Sequence, residues 1–312
     1  MTLIVIALGG NAFIQKGQKG TFEEQYRNIQ RVSSQIADLI EMGYKVVITH
    51  GNGPQVGINM LRYEAAKNII PPYPLHVADA ETQGFLGYII QQTLKNEILK
   101  REINTEVVAI ITQVLVDRSD PAFKNPTKPV GPFYNIKQVE ELKKRLPNWQ
   151  FTFVKGKGYR RIVPSPKPKR IIEIDIIKEL IRLGYVVIAC GGGGIPVIKK
   201  NKYLAGIDAV IDKDLTSELL ASCLNADELI ILTDVDGIYL DFGTDKQRLI
   251  NRISIAELDK LYKMDIFEEG SMKPKVEAAI KFLKRGGKRV VIGNILKLRD
   301  SILGKTGTQI YR

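Results

Sequence analysis

Short, nearly continuous apolar runs alternate with amphipathic stretches along most of this chain, and that alternation constrains its fold more than any other feature. The runs Leu3 to Leu8, Lys45 to Thr49, Val107 to Val116, Tyr185 to Cys190, Ala209 to Ile211, Leu229 to Thr233 and Arg289 to Ile292 are rich in β-branched residues, as expected of strands covered on both faces. Between them, Ile29, Val32, Ile36, Leu39 and Ile40 share one face of a helix over 24–41. Leu86, Ile89, Ile90, Leu94 and Ile98 do the same over 83–100. Further helices fit 171–183, 215–224 and 274–284. Strand alternating with helix predicts a mainly parallel sheet with helices on both sides. In such sheets ligands sit beyond the carboxyl ends of the strands. One stretch breaks the rhythm: 117–168 is rich in Pro and basic residues, and reads as an inserted flap on rigid connectors.

The residues that follow the strands are therefore the informative ones. Gly9-Gly10-Asn11, Gly51-Asn52-Gly53-Pro54 and Gly191-Gly192-Gly193-Gly194 each come directly after an apolar run. Glycine lets backbone N–H groups approach an anion without a Cβ in the way, and a following helix N-terminus adds partial positive charge. Three such loops at one sheet edge predict a phosphate or carboxylate site. It is not a Walker loop, because the glycine required before Gly304-Lys305-Thr306 falls on Arg299. Nor is it a dinucleotide fingerprint, because Val56, Pro196 and Val197 occupy the candidate third-glycine positions. Three lysines stand on stiffened backbone. Lys128 lies between Pro126 and Pro129. Lys213 precedes Asp214, read as a helix N-cap, and Lys273 precedes Pro274, read as a first helical residue.

Charge narrows the partner. Lys and Arg number 46 against 34 Asp and Glu, a net charge of +12, which suits an anionic ligand. The densest basic cluster, Lys155 to Arg170, has only Phe151, Phe153 and Tyr159 nearby as a stacking surface and no accompanying nucleic-acid motif. That favours small phosphorylated molecules over nucleic acid. No apolar run reaches the roughly 18–20 residues that span a bilayer, and the apolar N-terminus lacks a basic n-region and a cleavage site, so no membrane association is expected. Two cysteines, Cys190 and Cys223, read as buried thiols in a reducing cytoplasm.

The segments ALGGNA at 7–12, THGNGPQVG at 49–57, DPAFKNPTKPVGPFY at 120–134, GGGGIPV at 191–197, AVIDKDL at 209–215 and GSMKPKVEAA at 270–279 together resemble the carbamate kinases of the amino acid kinase superfamily. The resemblance implies an α/β fold, a three-layer αβα sandwich whose mainly parallel central sheet has about eight strands. It implies one domain over 1–312, with an N-terminal carbamate-binding lobe at 1–207, a C-terminal nucleotide-binding lobe at 208–312, and a protruding subdomain at 117–168. It further implies a cytoplasmic homodimer that moves a phosphoryl group between ATP and carbamate, giving ADP and carbamoyl phosphate, with Mg²⁺. By position, Gly9, Gly10 and Asn11 face the transferring group and Gly51, Asn52 and Gly53 hold the carbamate. Lys128, Lys213 and Lys273 are the catalytic lysines, with Asp214 orienting them, and Tyr239, Met264 and Met272 line the adenine pocket. Asp214, Asp234 and Asp236 are the carboxylates considered for the metal. Carbamate carries no proton to remove, so His50 is expected to be structural and no general base is needed. The alternatives are another member of the superfamily, acting on acetylglutamate or a nucleoside monophosphate, and a non-enzymatic nucleotide or nucleic-acid binder. The presence of Lys213 and Asp214 disfavours the last.

Overall fold

A computed structural model describes residues 1–312, apart from the side chain of Asn11, so the contact expected of that side chain lies outside the described residues. In chain order the elements are β1 (Leu3–Leu8), α1 (Phe22–Glu41), β2 (Lys45–His50), α2 (Gly53–Ala66), α3 (Leu75–Lys100), β3 (Val107–Ala109), β4 (Gln113–Val116), β5 (Lys128–Tyr134), α4 (Ile136–Arg145), β6 (Gln150–Val154), β7 (Gly158–Val163), β8 (Pro168–Ile171), α5 (Ile174–Arg182) and β9 (Val186–Ile188). They continue as β10 (Ile195–Lys200), β11 (Tyr203–Gly206), α6 (Lys213–Cys223), β12 (Glu228–Thr233), β13 (Tyr239–Leu240), β14 (Arg248–Leu249), β15 (Arg252–Ser254), α7 (Ile255–Lys263), α8 (Met272–Lys284), β16 (Arg289–Asn294), α9 (Leu298–Ile302) and β17 (Thr308–Tyr311).

Eight strands form the central sheet in the order β15-β17-β16-β12-β1-β2-β9-β3. The six from β16 to β3 run parallel, while β17 is antiparallel to β16. Alternation along β1 shows how the layers are made. Ile4, Ile6 and Leu8 pack with the apolar faces of α1, α3 and α9. Val5 and Ala7 pack on the other side with α5, α6 and α8. A three-layer αβα sandwich follows directly from that two-sided burial, to which each fully buried aliphatic side chain contributes about 1.5–3 kcal/mol. The first helix starts where Thr21 and Glu24 form a reciprocal capping box.

A second, four-stranded sheet has the order β11-β10-β4-β8. The apolar run Val107 to Val116, expected as one strand, is thus two. Gln83 holds Thr112 by hydrogen bonds to both its N–H and its carbonyl, and the chain crosses there from one sheet to the other. The run Ala209 to Ile211, with Ala209 and Ile211 buried and Val210 half-buried, is not a strand. It is an extended connector whose Val210 N–H bonds the Pro164 carbonyl at 2.9 Å. Residues 128–163 fold as an antiparallel sheet β5-β7-β6 with α4 against it, built around Tyr134, Val139 and Leu142. Among the described residues, no helix is long and apolar enough to cross a membrane.

Candidate active site

The three glycine loops meet at the carboxyl ends of β1, β2 and β9. The Gly51 N–H bonds the Leu8 carbonyl at 2.9 Å, tying the second loop to the end of the first strand. A Cβ on Gly51 would stand 3.1 Å from the Gly10 nitrogen and 3.1 Å from Cδ of Lys213. The third loop is pressed beneath the second. Gly192 has φ +69°, and a Cβ there would fall 2.2 Å from Nδ2 of Asn52. Only glycine meets both conditions, the left-handed backbone and the absent side chain.

Lys213 opens α6. The N-cap of that helix is Asp212, not Asp214: the Asp212 carboxylate accepts from the Asp214 N–H at 2.9 Å. Asp214 lies inside the first turn, 2% exposed, and turns inward. One of its oxygens bonds Nζ of Lys213 and the other bonds Nζ of Lys275 at 3.0 Å. Lys275 was not singled out in the sequence. Lys273, which was, points to Asp265 at 2.6 Å and to Glu269. The cause is helix register: α8 begins at Met272, two residues earlier than Pro274 suggested. Residue 275 then falls one turn before Ala279 and two before Phe282, on the face that packs into the core. Read for that period, the sequence points to 275 rather than 273. Lys213 and Lys275, with Gly9, Gly10, Thr233, Asp234 and Gly270, wall a cavity of about 210 Å³.

Burial works against charge on all three groups of this clamp. It lowers the pKa of Lys213, with Asp214 only partly restoring it. For Lys275 the Asp214 pair outweighs burial and the pKa is raised. For Asp214, burial is outweighed by the two ammonium groups, which hold the carboxyl well below the usual range.

A second cavity of about 310 Å³ is lined by Asn52, Gly53, Pro54, Lys128 and Arg160. It begins just across Pro54, whose Cδ stands 3.4 Å from the place of a Gly10 Cβ. Lys128 reaches this side from β5, and its Nζ lies 3.4 Å from the Asp212 carboxylate. The Asn52 side chain is already committed to Asp79 at 3.1 Å and to Thr82 at 2.8 Å, which leaves the backbone at the start of α2 to face the cavity. The buried Asp79 carboxyl is pushed up to about 8, chiefly by desolvation. His50 is 1% exposed, and burial, aided by the charge of Lys213, lowers it to about 4, so it is neutral near pH 7. A roomier cavity of about 630 Å³, between Lys19, Phe22, Gln55 and Phe85, contains none of these lysines.

Known proteins share both the fold and its details. The Amino acid kinase family model matches residues 2–294. Carbamate kinase from Pyrococcus horikoshii is 52% identical over 98% of both chains, and that from Thermococcus kodakarensis is 49% identical over the full length of both. The structure of carbamate kinase from Giardia lamblia bound to AMP-PNP superposes with a TM-score of 0.94 at 43% identity, covering 99% of this chain and 98% of that one. The chain belongs to the carbamate kinases of the amino acid kinase family.

Membership in the carbamate kinases makes this a phosphotransferase fold, and the remaining expected positions can be placed on it. Tyr239 lies in the short β13, with its ring 5.7 Å from Phe242. Met272 packs on the core at the start of α8, and Met264 is 68% exposed at the end of α7. None of the three walls the lysine cavity. Both Asp214 oxygens are taken by lysines, Asp236 is paired with Lys297, and among the described residues no group of three or more His, Cys, Asp or Glu converges on a point. Asp234, the third carboxylate considered, walls the lysine cavity. Both cysteines are free, with Cys190 buried and its thiol pushed up mainly by burial, and Cys223 half-buried.

Proposed function

We propose that this carbamate kinase transfers a phosphoryl group reversibly between ATP and carbamate, using ammonium groups and backbone amides with no general base. The observation that carries the reading is the clamp of Lys213 and Lys275 on one buried carboxylate, at the wall that Gly9 and Gly10 share. The reaction brings two anions together, and unit charges 4 Å apart repel by roughly 4 kcal/mol at an effective dielectric of about 20. Cancelling that repulsion and aligning the reactants is the main catalytic task. Lys213 and Lys275 bind the terminal phosphate oxygens from the nucleotide side, with the amides of Gly9 and Gly10. The Gly51–Gly53 backbone, at the N-terminus of α2, holds the carbamate. Lys128 meets the transferring group from the protruding subdomain. His50, buried and neutral, takes no proton.

On this reading 1–207 supplies the acceptor lobe, 208–312 the nucleotide lobe and 117–168 the protruding subdomain. Tyr239, Met264 and Met272 serve the adenine, for which an exposed methionine at a helix end is a suitable cover. Mg²⁺ carried with the nucleotide would add charge neutralisation. The two free cysteines suit a cytoplasmic enzyme, and a homodimer would cover the exposed Tyr88 and Leu99 of α3.

ATP formation from ADP and carbamoyl phosphate by the purified chain tests the reading. Lys275→Met should lower kcat by about a hundredfold or more, the scale for loss of one electrostatic stabiliser. Lys273→Met should stay within about fivefold of wild type, the scale of an exposed ion pair. No ATP from this donor, with turnover of acetylglutamate or a nucleoside monophosphate instead, would place the chain elsewhere in the family.

A further inference from the structure

We propose that Arg161 and Asp208 form a latch that positions Lys128 for the transfer, an inference that rests on the role just given to Lys128. The backbone alone does not hold Lys128 in place. The sheet β5-β7-β6 that carries it pairs with no strand of the other sheets. Its orientation on the body depends on a small apolar patch of Val130 and Val163 against Val56, Met60 and Leu75, and on a few polar contacts. The ion pair made by Lys128 itself is long, at 3.4 Å, and the side chain is about one-third exposed.

Arg161 makes one of those polar contacts. It precedes by two residues Val163, the partner of Lys128 in the ladder, and so lies on the same face of β7. Although it belongs to a protruding subdomain, it is 6% exposed. Its guanidinium lies 3.8 Å from the centroid of the Trp149 ring and donates to Asp208 Oδ2 at 3.1 Å. The other Asp208 oxygen accepts from the Leu75 N–H at 3.0 Å, at the N-terminus of the 26-residue helix α3, where a carboxylate is favoured by the unsatisfied amides. One carboxylate thus joins the subdomain to the longest helix of the body.

The same residue leads into the catalytic groups. Asp208 is followed by the connector Ala209 to Ile211 and then by Asp212, which caps α6 beside Lys213 and pairs with Lys128. The connector is not locked in a sheet, and its Val210 N–H bonds Pro164, at the base of the subdomain. Movement of Asp208 is transmitted to both Asp212 and Pro164, the two ends between which Lys128 is set. An ion pair whose carboxylate, Asp208, is 39% exposed adds little net stability. Its contribution here is registry: it selects one docking angle for the subdomain.

A double-mutant cycle on kcat for ATP formation tests this, with Lys128→Met as the second axis and melting temperature as the folding control. Arg161→Met should lower kcat by about a hundredfold in the wild-type background, the effect of misplacing a catalytic group by about 1 Å. In the Lys128→Met background the same change should act within about twofold, because there is no ammonium left to misplace. Asp208→Asn, which keeps an acceptor for Leu75 and the same shape, should reproduce the pattern and serves if Arg161→Met does not fold. Equal losses in both backgrounds would show a merely structural pair and overturn the latch, as would near-normal turnover of both variants. Unchanged kcat in Lys128→Met alone would instead refute the role assigned to that lysine.

Discussion

Replacing Asp214 by Asn keeps the volume of the clamp and removes its charge. Both lysines it holds are nearly buried, with side chains 14% and 12% exposed. At the 3.0 Å separation of Lys275, the lost attraction is about 5.5 kcal/mol for an effective dielectric of about 20. That loss lowers the pKa of both ammonium groups, whose burial already works against their charge. The two ammonium groups would also repel each other without the carboxylate between them. Lys213, whose charge burial already disfavours, should then be less fully charged at neutral pH, and kcat for ATP formation should fall by about a hundredfold. Activity should return as pH is lowered and the lysine is recharged, so the alkaline limb of the kcat profile moves to lower pH. Stability should drop by about 3–5 kcal/mol, as when one partner of a buried pair is removed. Measuring kcat from pH 5 to 9 alongside denaturant unfolding checks both. An alkaline limb that stays where it is in wild type would refute the argument, since it would mean that Asp214 does not set the charge of these lysines.

Two further perturbations follow from the same surroundings. His50, lowered to about 4, and Asp79, raised to about 8, act on stability in opposite senses. The unfolded chain holds the extra proton at His50 between about pH 4 and 6.5, so that term stabilises the fold as pH rises. The folded chain holds it at Asp79 between about pH 4 and 8, so that term destabilises the fold as pH rises. Their slopes cancel up to about pH 6.5. Relative to wild type, His50→Gln should therefore lose unfolding free energy with rising pH over that window and Asp79→Asn should gain it, and two curves parallel to wild type would exclude the assignment. Gly192→Ala places a methyl on the Asn52 amide. It should raise KM for carbamoyl phosphate and lower melting temperature, while KM for ADP stays near wild type; an unaltered carbamoyl phosphate KM would show that Asn52 does not shape the acceptor side.

Periodicity was enough to read the layers, because a strand covered on both faces and a one-faced helix leave different patterns in the chain. The runs at β1, β2, β12 and β16 and the helix α1 are found at their expected places for that reason, while α3, expected over 83–100, begins eight residues earlier at Leu75. What pattern could not resolve was pairing. Val107 to Val116 is one apolar run, yet a crossover at Ile110 to Thr112 gives its halves to different sheets, and hydrophobicity is the same on either path. Ala209 and Ile211 are as buried as strand residues but belong to no ladder. Helix starts at the site are ambiguous in the same way. Asp212 and Asp214 are both plausible caps two residues apart, and only the start of α6 decides between them. Lys273 and Lys275 flank one proline, and both lie in α8, where Lys273 pairs with Asp265 and Lys275 with Asp214. The helix α2 went unread, though Pro54 just after Gly53 is the residue a first turn tolerates.

The charges of the proposed site explain why its lysines are not equivalent. Three ammonium groups, Lys128, Lys213 and Lys275, share two carboxylates, Asp212 and Asp214. Asp214 has both oxygens engaged and no exposed surface to offer, so a phosphate cannot readily displace it; Lys213 and Lys275 keep their counter-ion while they bind oxygen. Asp212 already satisfies the amides of α6 with one oxygen and holds Lys128 only at 3.4 Å with the other. An arriving phosphoryl group competes well with so long a contact and leaves the cap intact. Lys128 is therefore the cation that can exchange partners during turnover, and a lysine free to exchange needs its direction set from elsewhere. The only charged side chain of its own sheet buried against the body is Arg161, which is why the docking of the subdomain, rather than the local environment of the Lys128 ammonium, should govern when the acceptor side of the site is complete.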